Sequence, residues 1–203
     1  MKTSNVILAI TLFFCVNHVK SQETGTFTDV RDNKTYKTVK INSLVWMGEN
    51  LNFITPKESW CYGNDSLNGE KFGRLYTFES AKNACPSGWH LPIESDWQNI
   101  SNSYGFREIA GKHMKEVGVN NWRAPNSDAT NKSGFTALPG GAYFVDENKF
   151  VNIGYVSFFW VDNVPEEFPN SAYIRGLFYD KPIVFVDSYV GALNGLSVRC
   201  VKD

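Results

Sequence analysis

His90, with Glu94 and Asp96 four and six residues further on, is the nearest approach in this chain to a general base with carboxylate partners. The stretch around it, Gly-Trp-His-Leu-Pro, reads first as a tight corner. There a lone histidine is expected to be structural and bonded to backbone. His113 lies on a predicted helix face and carries no functional weight. Asp162, Asn163, Glu166 and Glu167, in WVDNVPEEFPN, are oxygen ligands of the kind calcium takes. An oxygen-rich solvated loop explains them more simply, so calcium is only weakly supported and no other cofactor is expected. The four cysteines, Cys15, Cys61, Cys85 and Cys200, lack the close spacing of a zinc site. Pro139-Gly140-Gly141 is followed by neither a Lys-Ser/Thr pair nor a helix, so it reads as a turn or a close backbone approach, not a phosphate loop. No Gly-x-Ser-x-Gly elbow is present for a Ser-His-Asp hydrolase. No catalytic residue and no metal ligand is assigned, and a non-enzyme is expected.

The N-terminus reads as an export signal. Lys2 gives a positive start and Val6 to Val16 (VILAITLFFCV) an apolar core of 11 residues, short for a membrane span. Val19 and Ser21 suit the small-residue positions of a cleavage site, which places residues 1–21 in the leader and Gln22 at the mature N-terminus. Phe13 and Phe14 before Cys15 argue against lipidation. Loss of 21 of the 203 residues leaves 182, enough for one well-cored domain, residues 22–203. Lys2 and Lys20 leave with the leader, so 18 basic residues remain against 21 acidic, a balance of −3. With no basic block, nucleic acid is not an expected partner, and no membrane span is expected after cleavage. Export leaves Cys61, Cys85 and Cys200 in an oxidising compartment, where two are expected to pair and one to stay over.

The elements that must position these groups run strands, helices, strands. Residues 29–47 read as β structure, with turns at Asp32-Asn33 and Asn42-Ser43. Residues 56–71, rich in Gly, Asn and Asp, read as a loop. A helix is expected over residues 77–85, capped by Thr77 and ended by Pro86. A second starts near Pro92, with Glu94 and Asp96 in its first turn, and a third short one covers residues 107–117. Residues 120–134 read as a polar connection, and everything from Phe135 onward as strands and turns. This segregation indicates an α+β fold.

Five motifs in order, WMGENL (46–51), WCYGND (60–65), GRLYTFESAKNACPSGWHLP (73–92), FTALPGG (135–141) and LSVRCVKD (196–203), resemble the Fibrobacter succinogenes major paralogous domain, an exported domain of Bacteroidetes-type bacteria. The resemblance covers residues 26–203. It implies a C-type-lectin-like fold, similar to the formylglycine-generating-enzyme group, with two or three short helices in the first half and a β-rich second half. It also implies a Cys85–Cys200 bridge, with two buried free thiols as the alternative. Family members often carry a second cysteine soon after the CYxND segment. Here that neighbourhood is Asn68-Gly69-Glu70, so Cys61 lacks a local partner. Ile93 stands where the family prefers a small capping residue. Trp160-Val161-Asp162-Asn163 is not the Trp-Asn-Asp element by which C-type lectins hold calcium.

Six Trp, nine Tyr and fifteen Phe are a heavy aromatic load. Trp46, Trp89, Trp97 and Trp160 are expected in the core, and Trp60 and Trp122, beside polar loop residues, at the surface. Exposed aromatics beside Asn, Asp and Glu are the mixture that sugar or protein recognition uses. The expected ligand-binding residues are therefore Trp60, Asp65, Trp122, Asp162, Asn163 and Glu166, on loops 60–68, 120–133 and 162–170. Asp65-Ser66-Leu67 also fits a short O-glycosylation pattern of Bacteroidetes-type exported proteins. The expected function is a secreted, periplasmic or cell-surface recognition or adhesion domain for extracellular glycan or protein. An enzyme related to the formylglycine-generating group, which would need a pair of active cysteines where only Cys61 is spare, and a purely structural surface module are the alternatives.

Overall fold

In Thr35–Ile41 (TYKTVKI), Tyr36 and Thr38 are buried on one face and Val39 and Ile41 on the other, while Thr35, Lys37 and Lys40 stay in solvent, so the strand is covered on both sides along part of its length. Asn42, at φ +55°, closes the two-residue turn that pairs Ile41 with Leu44. The computed structural model describes residues 22–203; the leader assigned to residues 1–21 lies outside the described residues. In chain order, β1 (Thr24–Thr28), β2 (Thr35–Ile41), β3 (Leu44–Met47) and β4 (Ser59–Trp60) precede α1 (Ser66–Phe72). Next come β5 (Leu75–Tyr76), α2 (Phe78–Lys82), β6 (Trp89–His90), α3 (Glu94–Ser103) and α4 (Phe106–Met114). The second half holds β7 (Ala142–Phe144), β8 (Lys149–Val151), β9 (Val156–Trp160), β10 (Ser171–Phe178), β11 (Phe185–Gly191), β12 (Leu196–Ser197) and β13 (Val201–Lys202). The fold is mixed α+β, as the sequence indicates.

Two sheets carry the architecture. One has the order β1-β2-β3-β13-β6 and the other β11-β10-β9-β12-β5-β4, while β7 and β8 form a separate hairpin. The LSVRC motif is not one strand. β12 belongs to the six-stranded sheet and β13 to the five-stranded sheet, so the chain crosses between them at residues 198–200. The Cys85–Cys200 disulfide holds this crossover to the segment after α2, across 115 residues of sequence. A link that long restricts the unfolded chain strongly, by about 4–5 kcal/mol in the loop-entropy account.

Arg199 stands at the crossover, 1% exposed, and no carboxylate among the described residues bonds to it. Its Nε donates to Asn50 Oδ1 at 3.0 Å, and Nη2 to the same oxygen at 2.8 Å and to Thr136 O at 3.2 Å. Nη1 donates to Met47 O at 3.3 Å and to Phe135 O. All five N–H groups thus have an acceptor, and the Phe135 ring lies 4.3 Å from the guanidinium. Burial lowers its pKa to about 9, against the pull of Glu49, so it is a cation at neutral pH. Lys115, also fully buried, gathers the carbonyls of Ser127, Phe178 and Lys181 at 2.9–3.2 Å.

The core divides around the sheets. Tyr76, Phe78, Trp89, Trp160 and Leu196 fill one cluster; Trp46, Trp97, Trp122, Phe135 and Phe159 fill the other. Trp46, Trp89, Trp97 and Trp160 are buried as expected. Trp122 is not at the surface: it is 1% exposed and its Nε1 donates to Ala137 O at 2.9 Å. The polar neighbours that make it read as exposed are themselves turned inward. Asn126, buried, bonds the carbonyls of Glu116 and Gly118, and Ser133 is buried too.

Two further expectations are corrected. Residues 56–71 are not all loop, because Asp65 caps α1 by accepting from Leu67 N at 2.9 Å. Only Gly69 and Phe72 of that helix are buried, so its polar composition resembles a loop. The helix after Thr77 is short, Phe78–Lys82, though Thr77 caps it as expected, accepting from Ser80 N at 3.3 Å. Ile93 offers no side-chain cap to α3. Asp96 instead accepts from Ile93 N at 2.9 Å, the half of a capping box that an apolar cap permits.

Burial sets the stability order of the aromatic residues. Trp122→Ala is expected to lower the unfolding free energy by about 3–5 kcal/mol in urea denaturation. Arg199→Met, which strands several buried acceptors at about 1–3 kcal/mol each, is expected to cost at least as much. An Arg199→Met variant that unfolds at the wild-type urea midpoint would show that the five bonds are dispensable.

Candidate functional site

The β7–β8 hairpin places Tyr143 opposite Phe150, with ring centroids 4.6 Å apart. Asn148, at φ +48°, supplies the turn, and its Oδ1 accepts from the Tyr143 hydroxyl at 2.7 Å. Tyr62 meets Phe150 on one side at 5.3 Å, and Trp60 meets Tyr143 on the other at 4.7 Å. Four half-buried rings therefore run in contact as Tyr62, Phe150, Tyr143 and Trp60. Glycine makes the close approach possible. A Cβ at Gly195 would meet Tyr143 Cβ at 3.1 Å and Trp60 Cε3 at 3.2 Å, and Gly195 and Tyr143 exchange backbone hydrogen bonds at 2.8 and 2.9 Å.

A cleft of about 450 Å³, lined by Asp146, Asn170, Leu193 and Asn194 among others and by none of the four rings, opens at the turn that leads into Gly195. Asn194 Oδ1 accepts from Val145 N at 3.2 Å, which holds the hairpin against the 191–194 turn. Further along the loop that supplies Asn170, exposed Phe168 stacks on exposed Tyr189, with centroids 4.7 Å apart and planes 23° apart. Apolar faces flank a cleft edged by a carboxylate and carboxamides. Chemically this arrangement can hold a polyhydroxylated ring by stacking and short hydrogen bonds.

The expected ligand residues are distributed unevenly over this surface. Trp60 is part of the aromatic row. Asp65 is exposed, but one of its oxygens is committed to capping α1. Asp162, Asn163 and Glu166 are exposed in the loop between β9 and β10, where Asp162 N donates to Pro92 O at 2.8 Å. Trp122 belongs to the core and takes no part. Among the described residues, no three His, Cys, Asp or Glu side chains gather as a metal-binding group. Tyr62, Tyr143 and Phe150 were not among the expected residues. Their signal is the register of GAYFVDENKFVNI, where a turn at Asp146–Asn148 makes Tyr143 and Phe150 cross-strand partners on one face.

His90 departs from its expected backbone bonding. Its Nδ1 lies 2.7 Å from Asp203 Oδ1 and its Nε2 3.1 Å from Asp96 Oδ2. Partial burial pulls its pKa down, but the two carboxylates outweigh this and the net shift is upward. With both ring nitrogens engaged, the group ties β6, α3 and the residue after β13 together. Cys61 is the free cysteine among the described residues. Its Sγ is 3.1 Å from Arg74 Nη1, and it lies against Gly69.

A family model, the Fibrobacter succinogenes major domain, matches residues 39–202, and the chain belongs to that family. No curated protein and no solved structure matches the chain.

A Cβ built on Gly69 would stand 3.4 Å from Cys61 Cβ, just below the roughly 3.5–4.5 Å range that disulfides use. Gly69→Cys is expected to close a bridge to Cys61, abolish its thiol titration and add about 2–3 kcal/mol. Gly69→Ser, unable to bond, is expected to destabilise. A thiol count of two in Gly69→Cys would refute the placement. His90 gives a pH test. A raised folded pKa contributes stability that is complete below about pH 6.5 and is lost as pH rises through the folded value. Melting of the wild type is expected to fall relative to His90→Gln between about pH 6 and 8. The difference stays under about 1 kcal/mol because the pair is solvent-screened. Parallel melting curves across that range would remove the ion pairs from the account.

Proposed function

We propose that this member of the Fibrobacter succinogenes major domain family is a non-catalytic, exported glycan-recognition domain, acting in the periplasm or at the outer cell surface. The observation that carries the reading is the row Tyr62, Phe150, Tyr143 and Trp60 beside the cleft of Asp146, Asn170 and Asn194. Sugar rings present apolar C–H faces to aromatic planes and hydroxyls to short amides and carboxylates, and the row and cleft offer both. The row rests on a hairpin and a sheet edge, so little ordering is needed on binding. The Cys85–Cys200 disulfide suits an oxidising compartment, and no helix among the described residues is long and apolar enough to cross a membrane. The reading calls for no cofactor, and binding is expected to survive removal of calcium by chelator.

A glycan array with residues 22–203, followed by calorimetry on the best ligand, tests this. Trp60→Ala and Tyr143→Ala are each expected to weaken binding at least about tenfold, near 1.4 kcal/mol. Each is expected to lower folding stability by no more than about 2 kcal/mol. An array without specific binding would overturn the glycan reading. Binding that survives both substitutions would displace it from this surface.

A further inference from the structure

The other large cleft, about 460 Å³, lies away from the aromatic row, between α3, α4 and the β10–β11 pair. A buried cation forms part of its wall. Arg175 has a side chain only 3% exposed, paired with Glu94 at the start of α3 and donating to its own neighbour's carbonyl, Ile174 O, at 2.9 Å. Among the described residues these are its partners, so three of its five N–H groups remain unassigned. Trp97, also in the wall, has a buried indole N–H with no partner among the described residues. A buried donor without an acceptor is costly, and the Trp97 N–H borders the same cleft as the Arg175 guanidinium.

The backbone at this place is also unusual. The β10–β11 register shifts between Ile174 and Gly176, where β11 carries one extra residue, so Arg175 sits opposite a bulge in the edge strand. On the opposite rim, Phe106 opens α4 at φ +59° and is 63% exposed. A bulky residue held in the left-handed region is strained, and here the strained position keeps an aromatic ring in solvent at the mouth of the cleft.

Charge restricts the ligand. Glu94 and Glu108 line the cleft, with Arg175 at the wall and Arg107 at the rim. A strongly anionic ligand would face two carboxylates, and a simple cation would leave the donors unmet. We propose that this cleft binds a free α-amino acid with an apolar side chain. Its carboxylate takes the open edge of the Arg175 guanidinium, its ammonium faces Glu94 and Glu108, and its side chain lies against Phe106. The cleft volume lies in the range of small-molecule sites, and guanidinium recognises carboxylate by its planar fork.

The experiment is calorimetry of residues 22–203 with L-phenylalanine and L-leucine, with phenethylamine and 3-phenylpropionate as probes lacking one charge each. Saturable binding of an amino acid is expected, with both single-charge probes weaker by at least about tenfold. Arg175→Lys is expected to weaken binding by a similar factor. Asn102→Trp, an exposed residue lining the cleft, is expected to abolish it with melting unchanged, and Trp60→Ala to leave it intact. Absence of saturable binding by either amino acid up to about 10 mM would overturn the proposal. So would equal binding of a single-charge probe, or binding that survives Asn102→Trp. None of these outcomes bears on the aromatic row.

Discussion

A buried guanidinium, bonded to no carboxylate among the described residues, holds the two sheets in register. Arg199 sits where the last segment leaves the six-stranded sheet and enters the five-stranded one. Three backbone carbonyls and the Asn50 side-chain oxygen stand in for a counter-ion. Partial charges on fixed dipoles can carry a buried cation when every donor is met, and leave it costly when any is not. Lysine, with three donors on a point charge, could not span Met47, Asn50, Phe135 and Thr136 together. Three of the sequence motifs, WMGENL, FTALPGG and LSVRC, therefore meet at one side chain.

The aromatic row depends on the same centre. Asn50 bonds Arg199 through its oxygen and donates through Nδ2 to Phe72 O at 2.7 Å, at the end of α1. Gly73 then turns the chain at φ +76°, where a Cβ would meet Asn50 Cβ at 2.6 Å. The turn delivers Leu75 and Tyr76 to β5, which pairs β12 on one side and β4, with Trp60, on the other. Tyr62 follows directly from β4. A chain of short contacts thus runs from the buried cation to the exposed rings. The exposed rings are thus held by a core that they do not themselves join.

Much of this frame was legible in the sequence, because local rules and the fold agree there. The β-rich run TYKTVKI, the Asn42 turn and the Thr77 cap are short-range signals that tertiary structure leaves in place. Trp122 was illegible for the converse reason. Composition around it is polar, but Asn126 and Lys115 turn their polar atoms onto backbone carbonyls and seal the connection inward. Nothing local distinguishes an amide facing water from one bonding a carbonyl. His90 failed likewise: Asp96 was a near neighbour in sequence, whereas Asp203 reaches it only through the β6–β13 pairing. Helix α1 was hidden because just two of its seven residues are buried, so no apolar stripe marks it.

The β10 strand carries both clefts without linking their chemistry. Its first residues follow Asn170 beside the aromatic row, and its middle carries Arg175 beside α3 and α4. An unbroken pairing would continue the register set by Ser171 with Gly191 and Ala172 with Val190. The bulge after Ile174 interrupts it, while the pairing with β9 on the other side runs on from Ile174 to Phe178 without a shift. The irregularity is therefore confined to the outer edge, where bulges are tolerated and where β11 ends the sheet. The extra residue lies in β11, so β10 stays regular and keeps Leu177 in the cluster that holds Phe159 while Arg175 pairs with Glu94. That division lets a packed interior and a charged cleft occupy neighbouring residues of one strand.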